Sequence, residues 1–332
     1  MSNSRIANQQ SLRKDYPKVA IIILNWNSYD DTKECLKSLE MITYPNYEVI
    51  VVDNGSQDMS PSRLKNEFLD VHFIINKNNL GFARGCNLGI QEALQRDIEY
   101  ILLLNNDTIV KSDFLEPAIQ FFKNDGRVGI VGGKIYYYHD PDRIWSVGGK
   151  VLWLRGDFSY PGHGDVDHGQ LNEAKEMDFV SGALMLISRV VLEKAGFLPE
   201  EYFFGYEDKE FCIRVARKGF KIFYVPNFAI FHKVGQSYKH SQKNLQIYNG
   251  YRNKLIFQKK MLSSVKWKLW YGTFFIYFWL LTNLAFFREF KNLSDKELEI
   301  VSLALSDHKR YSMVLLEHFQ KVLSTTLNRD NY

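Results

Sequence analysis

The chain of 332 residues is 45% hydrophobic and 24% charged, which is typical of a folded protein large enough to bury a full core. Its three cysteines have no CxxC spacing, which argues against a disulfide framework or a zinc ribbon and favours a reducing compartment. The net charge is only +4, but residues 211–288 contain 14 Lys and Arg and no Asp or Glu. This uneven distribution predicts an anionic partner such as phosphate, nucleic acid or a membrane surface.

The first part of the chain alternates apolar runs with segments of helical periodicity. Continuous apolar runs predict buried strands at 19–24, 47–52, 71–75 and 100–104. Each strand is followed by a predicted helix, at about 30–39, 62–68, 81–96 and 112–123. This alternation is typical of βαβ units, so we predict an α/β fold with a mostly parallel central sheet and helices on both faces.

The pattern changes after residue 125. Strands are predicted at 128–138, 144–154, 178–188 and 221–225, with Gly132-Gly133 and Gly148-Gly149 as breaks. Residues 155–169 are rich in Gly, Asp and His and are predicted to form a flexible loop. Helices are expected within 205–219 and over about 241–260, 265–287 and 295–327.

Polar groups follow each of the first four strands. They are Asn25-Trp26-Asn27, Asp53-Asn54-Gly55-Ser56, the segment 78–82, and Asn105-Asn106-Asp107. Because the carboxyl ends of parallel strands share one sheet edge, we predict a single site there. Asp107 is placed to bind a hard cation or a phosphate-bearing ligand, although Asn-Asn-Asp is equally typical of a turn that caps a helix.

Two other groups at this edge also have two interpretations. Asp53 can accept a hydrogen bond from a nucleobase or from ribose hydroxyls, or it can form an Asx turn into Gly55. Gly81 either lets the backbone approach a ligand closely or belongs to a simple strand-to-helix turn. GxGxxG and GxxxxGK[ST] are both absent, which disfavours a dinucleotide dehydrogenase and a P-loop NTPase.

Six segments occur in this order: VAIIILNWN, VVDNGSQD, NLGFARGCNLGI, LLLNNDTIV, DFVSGALMLIS and FFGYEDKEFCIRVARKGFKIFYVP. The shorter motifs HKVGQS and YRN follow them. Together they resemble a family 2 glycosyltransferase with the GT-A fold, and more narrowly the bacterial rhamnosyltransferase-like members. The resemblance covers about residues 18–253.

The resemblance implies an inverting transfer of a sugar from a nucleotide-diphosphate donor. It assigns Asp53 to the pyrimidine base, and it assigns Asp107 to a divalent metal, Mg²⁺ or Mn²⁺, that bridges the diphosphate. His232 matches a second metal ligand; alternatively it is an ordinary histidine after a strand. The family usually has two acids at the metal site, whereas Asn105 and Asn106 precede Asp107 here. The other residues that we assign to donor binding are Asn25, Asn79, Gly81, Phe82, Asn106 and Arg252, with Lys233 as a further basic group.

The resemblance also implies an acceptor side. Asp208 matches the general base that takes a proton from the acceptor hydroxyl. Acids in a first helical turn also stabilise the free N–H groups of that turn, and this alternative fits Glu207 well. Ser181 and Gly182, together with Glu207, are expected to line the sugar and acceptor side, where small residues leave room.

Residues 269–287 contain no charge and are flanked by Lys266, Lys268 and Arg288. Three interpretations stand: a helix in the plane of a membrane, a single membrane span, and a buried helix of a C-terminal subdomain or dimer. The preceding basic stretch favours an anionic membrane surface. The alternative is that these basic residues only form solvated helix faces and line the donor diphosphate.

These observations define the predicted organisation. Residues 1–17 form a flexible tail without an apolar run of signal-peptide length, so no secretion is expected. Residues 18–240 form the catalytic domain, and 241–332 form a helical, basic and apolar region that is a candidate for membrane contact or homodimerisation. We expect a cytoplasmic protein at the inner face of the cell membrane, with no nucleic-acid partner.

The predicted donor is dTDP-rhamnose first and a UDP-hexose second. The acceptor is expected to be a lipid-linked glycan, such as a polyprenyl-diphosphate-linked one, or a surface polysaccharide. A catalytically silent, membrane-associated nucleotide-sugar-binding protein is the alternative that Asn105 and Asn106 keep open. A nucleotidyltransferase is a third option, although NWNSYDD stands where its Gly-rich loop would be.

Overall fold

The computed structural model describes residues 16–234, 241–283 and 294–307. Its main sheet has the strand order β10-β12-β6-β11-β4-β1-β2-β3, to which β5 and β7 add through β12 and β6. The strands are β1 (Val19–Asn25), β2 (Tyr47–Asp53), β3 (His72–Ile75), β4 (Tyr100–Asn105), β5 (Thr108–Val110), β6 (Val128–Tyr137), β7 (Ile144–Ser146), β8 (Lys150–Leu152), β9 (Asp157–Ser159), β10 (Lys175–Glu176), β11 (Leu184–Ser188) and β12 (Lys221–His232).

The described helices lie on both faces of this sheet and in the C-terminal region. They are α1 (Tyr29–Leu39), α2 (Ser60–Glu67), α3 (Phe82–Leu94), α4 (Glu116–Asn124), α5 (Arg189–Ala195), α6 (Glu207–Arg217), α7 (Ser241–Met261), α8 (Ser264–Asn283) and α9 (Asp295–Asp307). One hydrophobic core lies between the sheet and α3, α5, α6 and α7, and the other lies between the sheet and α1, α2 and α4. The predicted three-layer α/β fold is therefore confirmed.

The four strands predicted in the first part of the chain are adjacent and parallel. β1 pairs with β2 and β4, and β2 pairs with β3. Asn25 aligns with Asp53 across the β1–β2 pair. The polar ends of these strands thus lie along one edge, as the sequence predicted.

Helix α3 can lie close to this parallel half because it presents glycines to it. A Cβ at Gly85 would lie 2.4 Å from the Leu24 side chain, and one at Gly89 would lie 2.5 Å from that of Ile22. The glycines four positions apart in α3 therefore serve helix–sheet packing.

The other half of the sheet differs from the prediction in three places. β6 continues through Gly132-Gly133, because a Cβ at Gly133 would overlap the Phe228 carbonyl oxygen at 1.7 Å and only glycine allows β12 to lie so close. β11 begins at Leu184 rather than at residue 178, and β12 extends to His232 rather than ending at 225. The break at Gly148-Gly149 is confirmed, since β7 and β8 flank it.

Four short elements were not predicted, namely the strands β5, β9 and β10 and the helix α5. β5 lies between the predicted strand 100–104 and the predicted helix 112–123, and α4 begins at Glu116 rather than at about 112. β9 lies inside the predicted flexible loop and pairs with β8 in a hairpin. Strands of three residues carry too little periodicity to be recognised in the sequence.

The C-terminal helices α7 and α9 pack together, and the Tyr248 hydroxyl of α7 donates to the Asp307 carboxylate of α9 at 2.9 Å. Within the ranges that the structure describes, no helix has both the length and the apolar character needed to cross a membrane. The predicted apolar segment 269–287 and the predicted helix 295–327 extend beyond the described residues at 284 and 308, respectively. Residues 235–237 of the HKVGQS motif also lie outside them.

Candidate active site

The end of β1 is joined to the end of β2 by a buried hydrogen-bond network. The Asn25 amide donates to Asp53 Oδ2 at 2.7 Å and to Ser60 Oγ at 3.0 Å, and it accepts from Thr32 Oγ1 at 2.8 Å. Ser56 donates to both oxygens of Asp53. Asn25 and Asp53 are almost fully buried. Asp53 therefore forms a turn, as one of its two interpretations predicted, although the turn is closed by Ser56 rather than by Gly55. Its contact with a nucleobase stays a prediction.

The end of β3 is tied to the same network through amides. The Asn54 side chain donates to Asn79 Oδ1 at 2.9 Å, and this oxygen also accepts the Gly81 N–H at 2.9 Å. Gly81 has φ +80°, and a Cβ there would lie 2.6 Å from the Phe203 carbonyl oxygen. The close approach predicted at Gly81 is thus made to Phe203. The following N–H, of Phe82, donates to the same oxygen.

The end of β4 meets the end of β12 in a carboxylate–imidazole pair. Asp107 Oδ1 lies 2.9 Å from His232 Nε2, and both side chains are mostly buried. His232 Nδ1 is buried without a hydrogen-bond partner, and the Trp145 ring meets the imidazole edge to face. The two residues assigned to a metal are therefore adjacent, although 125 positions separate them in sequence.

The donor set of this pair fits a divalent cation. Carboxylate oxygen and imidazole nitrogen are ligands of Mn²⁺ and related metals, and two neighbouring ligands about 2.1 Å from one ion lie about 3 Å apart. Among the described residues, no group of three or more His, Cys, Asp or Glu side chains could hold a metal. Asp107 and His232 would thus supply two ligands, and a donor diphosphate would have to supply others.

The two asparagines before Asp107 have separate contacts. The Asn106 amide donates to Thr32 Oγ1 at 2.9 Å, which links it to the network around Asn25. The Asn105 amide lies 3.4 Å from His232 Nε2. Both asparagines therefore contact neighbouring side chains of the site, and the role of Asn106 in donor binding stays a prediction.

Helix α6 begins with two buried acids. Tyr206, just before the helix, has φ +82°, a left-handed conformation that is unusual for a bulky residue and marks a constrained turn. Asp208 Oδ2 accepts the Gly182 N–H at 3.3 Å. The neighbouring Ala183 carbonyl accepts the Asn105 N–H, so a single loop contacts both the end of β4 and the predicted base.

Glu207 lies beside Asp208 and is 4% exposed, and its Oε2 has no hydrogen-bond partner. Burial, together with the charge of Asp208, raises the pKa of Glu207 to about 8. At neutral pH, Glu207 is therefore mainly protonated. The Ser181 hydroxyl accepts the Ala183 N–H in the loop whose Gly182 N–H donates to Asp208.

Lys209 was missed by the sequence interpretation. Its ammonium donates to Asp208 Oδ1 at 3.0 Å, and its backbone N–H donates to the same oxygen at 2.8 Å. Burial is the largest single effect and lowers the pKa of Lys209, but the charges of Asp208, Tyr160 and Glu207 and the hydrogen bond to Asp208 together outweigh it and raise the pKa. The signal that could have found it is a lysine directly after a candidate base.

Arg252 and Lys233, predicted near the diphosphate, have other partners here. The Arg252 guanidinium is 1% exposed and donates to the Glu201 carbonyl at 3.1 Å. The Lys233 ammonium donates to Asp31 and to Glu34 of α1. The structure therefore places Arg252 beneath the loop before α6 and Lys233 against α1, and their contact with a donor stays a prediction.

A cavity of about 250 Å³ opens beside the Asp107–His232 pair. His232 forms part of its wall, and the end of β6 and the following turn form most of the rest. Its lining residues are Tyr137, Tyr138, His139, Asp140, Arg143, His232 and Val234.

The chain is similar to known glycosyltransferases. The family model described as glycosyl transferase family 2 matches residues 20–196. The low-salt glycan biosynthesis hexosyltransferase Agl10 of Haloferax volcanii is 24% identical over 311 residues, which cover 90% of this chain and 91% of the relative. The dTDP-rhamnosyl transferase RfbF of Shigella flexneri is 26% identical over 191 residues, which cover 57% of this chain and 61% of the relative.

Solved structures give the same fold. A mannosyltransferase from Pyrobaculum calidifontis in complex with GDP-Man and Mn²⁺ has a TM-score of 0.53 and 16% identity, covering 95% of this chain and 82% of that one. GalNAc-T7 with UDP, GalNAc and Mn²⁺ has a TM-score of 0.59 and 14% identity, covering 90% of this chain and 59% of that one. At these identities the likeness shows the fold alone, and the predicted GT-A fold is confirmed.

Proposed function

The chain belongs to glycosyl transferase family 2, and from that premise we propose that it is an inverting, divalent-metal-dependent enzyme that extends a lipid-linked or surface-polysaccharide glycan. The proposed donor is dTDP-rhamnose first and a UDP-hexose second. The name of the relative from Shigella flexneri supports the first donor, and the name of the relative from Haloferax volcanii supports the general hexosyl class.

The observation that supports metal dependence most strongly is the Asp107–His232 pair. A carboxylate oxygen and an imidazole nitrogen 2.9 Å apart lie at the edge where four parallel strands end. A buried imidazole nitrogen without a hydrogen-bond partner is unusual in a folded protein and is typical of a functional site. When bound there, Mg²⁺ or Mn²⁺ would neutralise charge on the leaving diphosphate.

The residues of α6 supply the base. Asp208 accepts the proton of the attacking acceptor hydroxyl, the oxygen of that hydroxyl forms the new bond to the anomeric carbon, and the bond from this carbon to the diphosphate breaks. The electron pair of the broken bond leaves with the nucleoside diphosphate. A positioned base of this kind typically contributes about 10²–10⁴-fold to the rate.

The loop 181–183 contacts both the proposed base Asp208 and the end of β4, which precedes Asp107 of the proposed metal pair. Its Gly182 N–H donates to Asp208, and its Ala183 carbonyl accepts from Asn105 at the end of β4. A Cβ at Gly182 would lie 3.2 Å from the Phe82 ring and 3.6 Å from Cβ of Asp208. A small residue here keeps space for the donor sugar between the metal pair and the base.

We also propose contact with an anionic membrane surface through α8, as a cytoplasmic enzyme at the inner face of the cell membrane. Large apolar side chains of α8 are exposed, including Leu269 at 68% and Ile276 at 63%, and Lys266 and Lys268 lie near its start. Such a face suits the boundary of lipid head groups and acyl chains. Vesicle sedimentation tests it: Leu269→Glu with Ile276→Glu should abolish binding to anionic vesicles, and the exposed control Leu69→Glu should not.

The test of the function follows nucleoside diphosphate release over a panel of nucleotide sugars. The full chain is supplied with crude lipid acceptor, with and without Mn²⁺. We expect acceptor-dependent release from dTDP-rhamnose or a UDP-hexose, and loss of that release when the metal is chelated. Release from no donor in the panel, which is the outcome of a silent nucleotide-sugar-binding protein, contradicts the proposal, and metal-independent release contradicts its metal requirement.

A further inference from the structure

Lys209 is a buried cation in an unusual environment. Its side chain is only 14% exposed, and lysine ammonium groups are seldom buried without a specific partner. The ammonium lies 5.4 Å from the ring centre of Phe158 and 5.3 Å from that of Phe179. The Tyr160 side chain is close enough to interact electrostatically with it. We call Phe158, Tyr160 and Phe179 the aromatic box.

The aromatic box fixes where the charge of Lys209 lies. Phe158 and Phe179 meet edge to face at 5.2 Å, and Tyr160 packs against Phe179 at 5.7 Å. Phe158 also contacts Tyr206 and Phe257, so the box is anchored to the turn before α6 and to α7. Ring faces attract a cation, and this attraction strengthens where water is excluded.

Within this frame the two oxygens of Asp208 differ. Oδ1 accepts both the ammonium and the backbone N–H of Lys209, at 3.0 and 2.8 Å. Oδ2 accepts only the Gly182 N–H, over a longer distance of 3.3 Å. Oδ2 is thus the oxygen with capacity left for another hydrogen bond.

We propose that Lys209 is a positioning residue for the glycosyl transfer: its ammonium, held by the aromatic box, keeps Asp208 ionised and leaves Oδ2 to accept the acceptor proton. This inference rests on the proposed function, because it presumes that Asp208 is the base. It identifies a residue and a set of rings whose contribution is to the charge state of the base.

The charged and titratable groups that face Asp208 come from two elements. On α6 they are Glu207, Lys209 and the buried Cys212, and in the turn after the β8–β9 hairpin the group is Tyr160. Helix α3 contributes Phe82, which carries no charge. Lys209 is the only cation in this set of described residues. Its removal therefore takes away the one positive charge in this set that favours the carboxylate form of Asp208.

The test compares pH profiles of kcat/KM for acceptor at saturating Mn²⁺. Lys209→Met keeps an apolar chain in the aromatic box without the charge, Lys209→Gln keeps a hydrogen-bond donor without the charge, and Lys209→Arg keeps the charge. We expect the acid limb to move to higher pH by about one unit in the uncharged variants, a loss of about tenfold at a pH on that limb. Lys209→Arg should keep the wild-type limb.

Two uncharged variants keep the test decisive if one of them fails to fold, since melting curves show which profile can be used. An unmoved acid limb in a folded uncharged variant, with activity lowered equally at every pH, overturns the inference and leaves Lys209 a structural role. A shifted limb in Lys209→Arg also overturns it. Failure of the wild-type chain to release nucleoside diphosphate is a different result, because it contradicts the proposed function itself.

Discussion

Two buried clusters of polar side chains differ in how they use burial. The donor edge consists of Asn25, Asp53 and their hydrogen-bond partners at the ends of β1 and β2, and the acid cluster consists of Glu207 and Asp208 at the start of α6. At the donor edge, neutral amides and hydroxyls surround Asp53, and Asn25 alone contacts Asp53, Ser60 and Thr32. In the acid cluster, Glu207 keeps an unpaired buried oxygen beside the charged Asp208. Satisfied polar networks rigidify a fold, whereas unsatisfied or charged groups cost stability and mark chemistry.

Because of this difference, we expect the two clusters to respond to substitution in opposite ways. Changes at the donor edge should lower the free energy of unfolding, and changes in the acid cluster or at the Asp107–His232 pair should lower the rate.

Asp208→Asn should lower kcat by about 10²–10⁴-fold, because the amide cannot accept the proton of the acceptor hydroxyl. Steady-state release of nucleoside diphosphate at saturating donor and Mn²⁺ measures it. Glu193→Gln, an exposed acid of α5 that bonds to Arg189, is the matched control and should retain the wild-type rate. Full activity in Asp208→Asn would remove it from the mechanism.

Asp107→Ala and His232→Ala should each raise the Mn²⁺ concentration needed for half-maximal activity by at least about tenfold, since each removes one of two protein ligands. A Mn²⁺ titration of the initial rate measures the effect. His72→Ala, on the edge strand β3, removes an exposed imidazole and serves as the control. An unchanged Mn²⁺ requirement in both site variants would show that the pair is only a structural contact.

Asn25→Ala should lower the free energy of unfolding by about 1–3 kcal/mol, because it removes one hydrogen bond to the buried Asp53 carboxylate and the acceptor of the buried Thr32 hydroxyl. Urea denaturation measures this loss, and kcat at saturating donor should stay near the wild-type value. Ser62→Ala on the exposed face of α2 is the control. A large fall in kcat with unchanged stability would reverse the roles assigned to the two clusters.

Glu207→Gln should change how stability depends on pH. The folded pKa of Glu207, about 8, lies above its ordinary value of 4.5. Between these two pH values the folded state therefore holds a proton that the unfolded state has already released. This contribution is present at low pH and is lost as the pH rises through 8.

Between pH 5 and 8 the wild-type chain should therefore lose about 3 kcal/mol more stability than Glu207→Gln does. Urea denaturation at several pH values gives the difference, in which titrations common to both proteins cancel. Parallel pH curves for the two proteins would mean that Glu207 titrates normally.

Much of the sheet edge that holds Asn25, Asp53 and Asp107 was predictable from the sequence, because local patterns determine it. Continuous apolar runs identified β1, β2 and β4, and parallel pairing then required Asn25, Asp53 and Asp107 to share an edge. Asp107 and His232 were paired through the family resemblance, and the structure brings them together from strands 125 positions apart.

What the sequence did not reveal depends on contacts between distant segments. The aromatic box around Lys209 comes from residues 158–179, and nothing near Lys209 in sequence indicates those rings. β6 passes through Gly132-Gly133 because β12 approaches closely, a tertiary requirement that overrides the usual interpretation of a glycine pair as a break. Arg252 was assigned to the donor from its motif, yet burial places it against the Glu201 carbonyl.

The anomeric configuration of the first product is the most direct measurement of the proposed chemistry. A single base acting on the acceptor, with no carboxylate serving as nucleophile, permits one displacement and hence inversion at the anomeric carbon. Proton NMR of the disaccharide linkage, compared with the configuration of the nucleotide sugar, should show inversion. Retention of configuration would require a covalent or front-face route and would contradict the role assigned to Asp208.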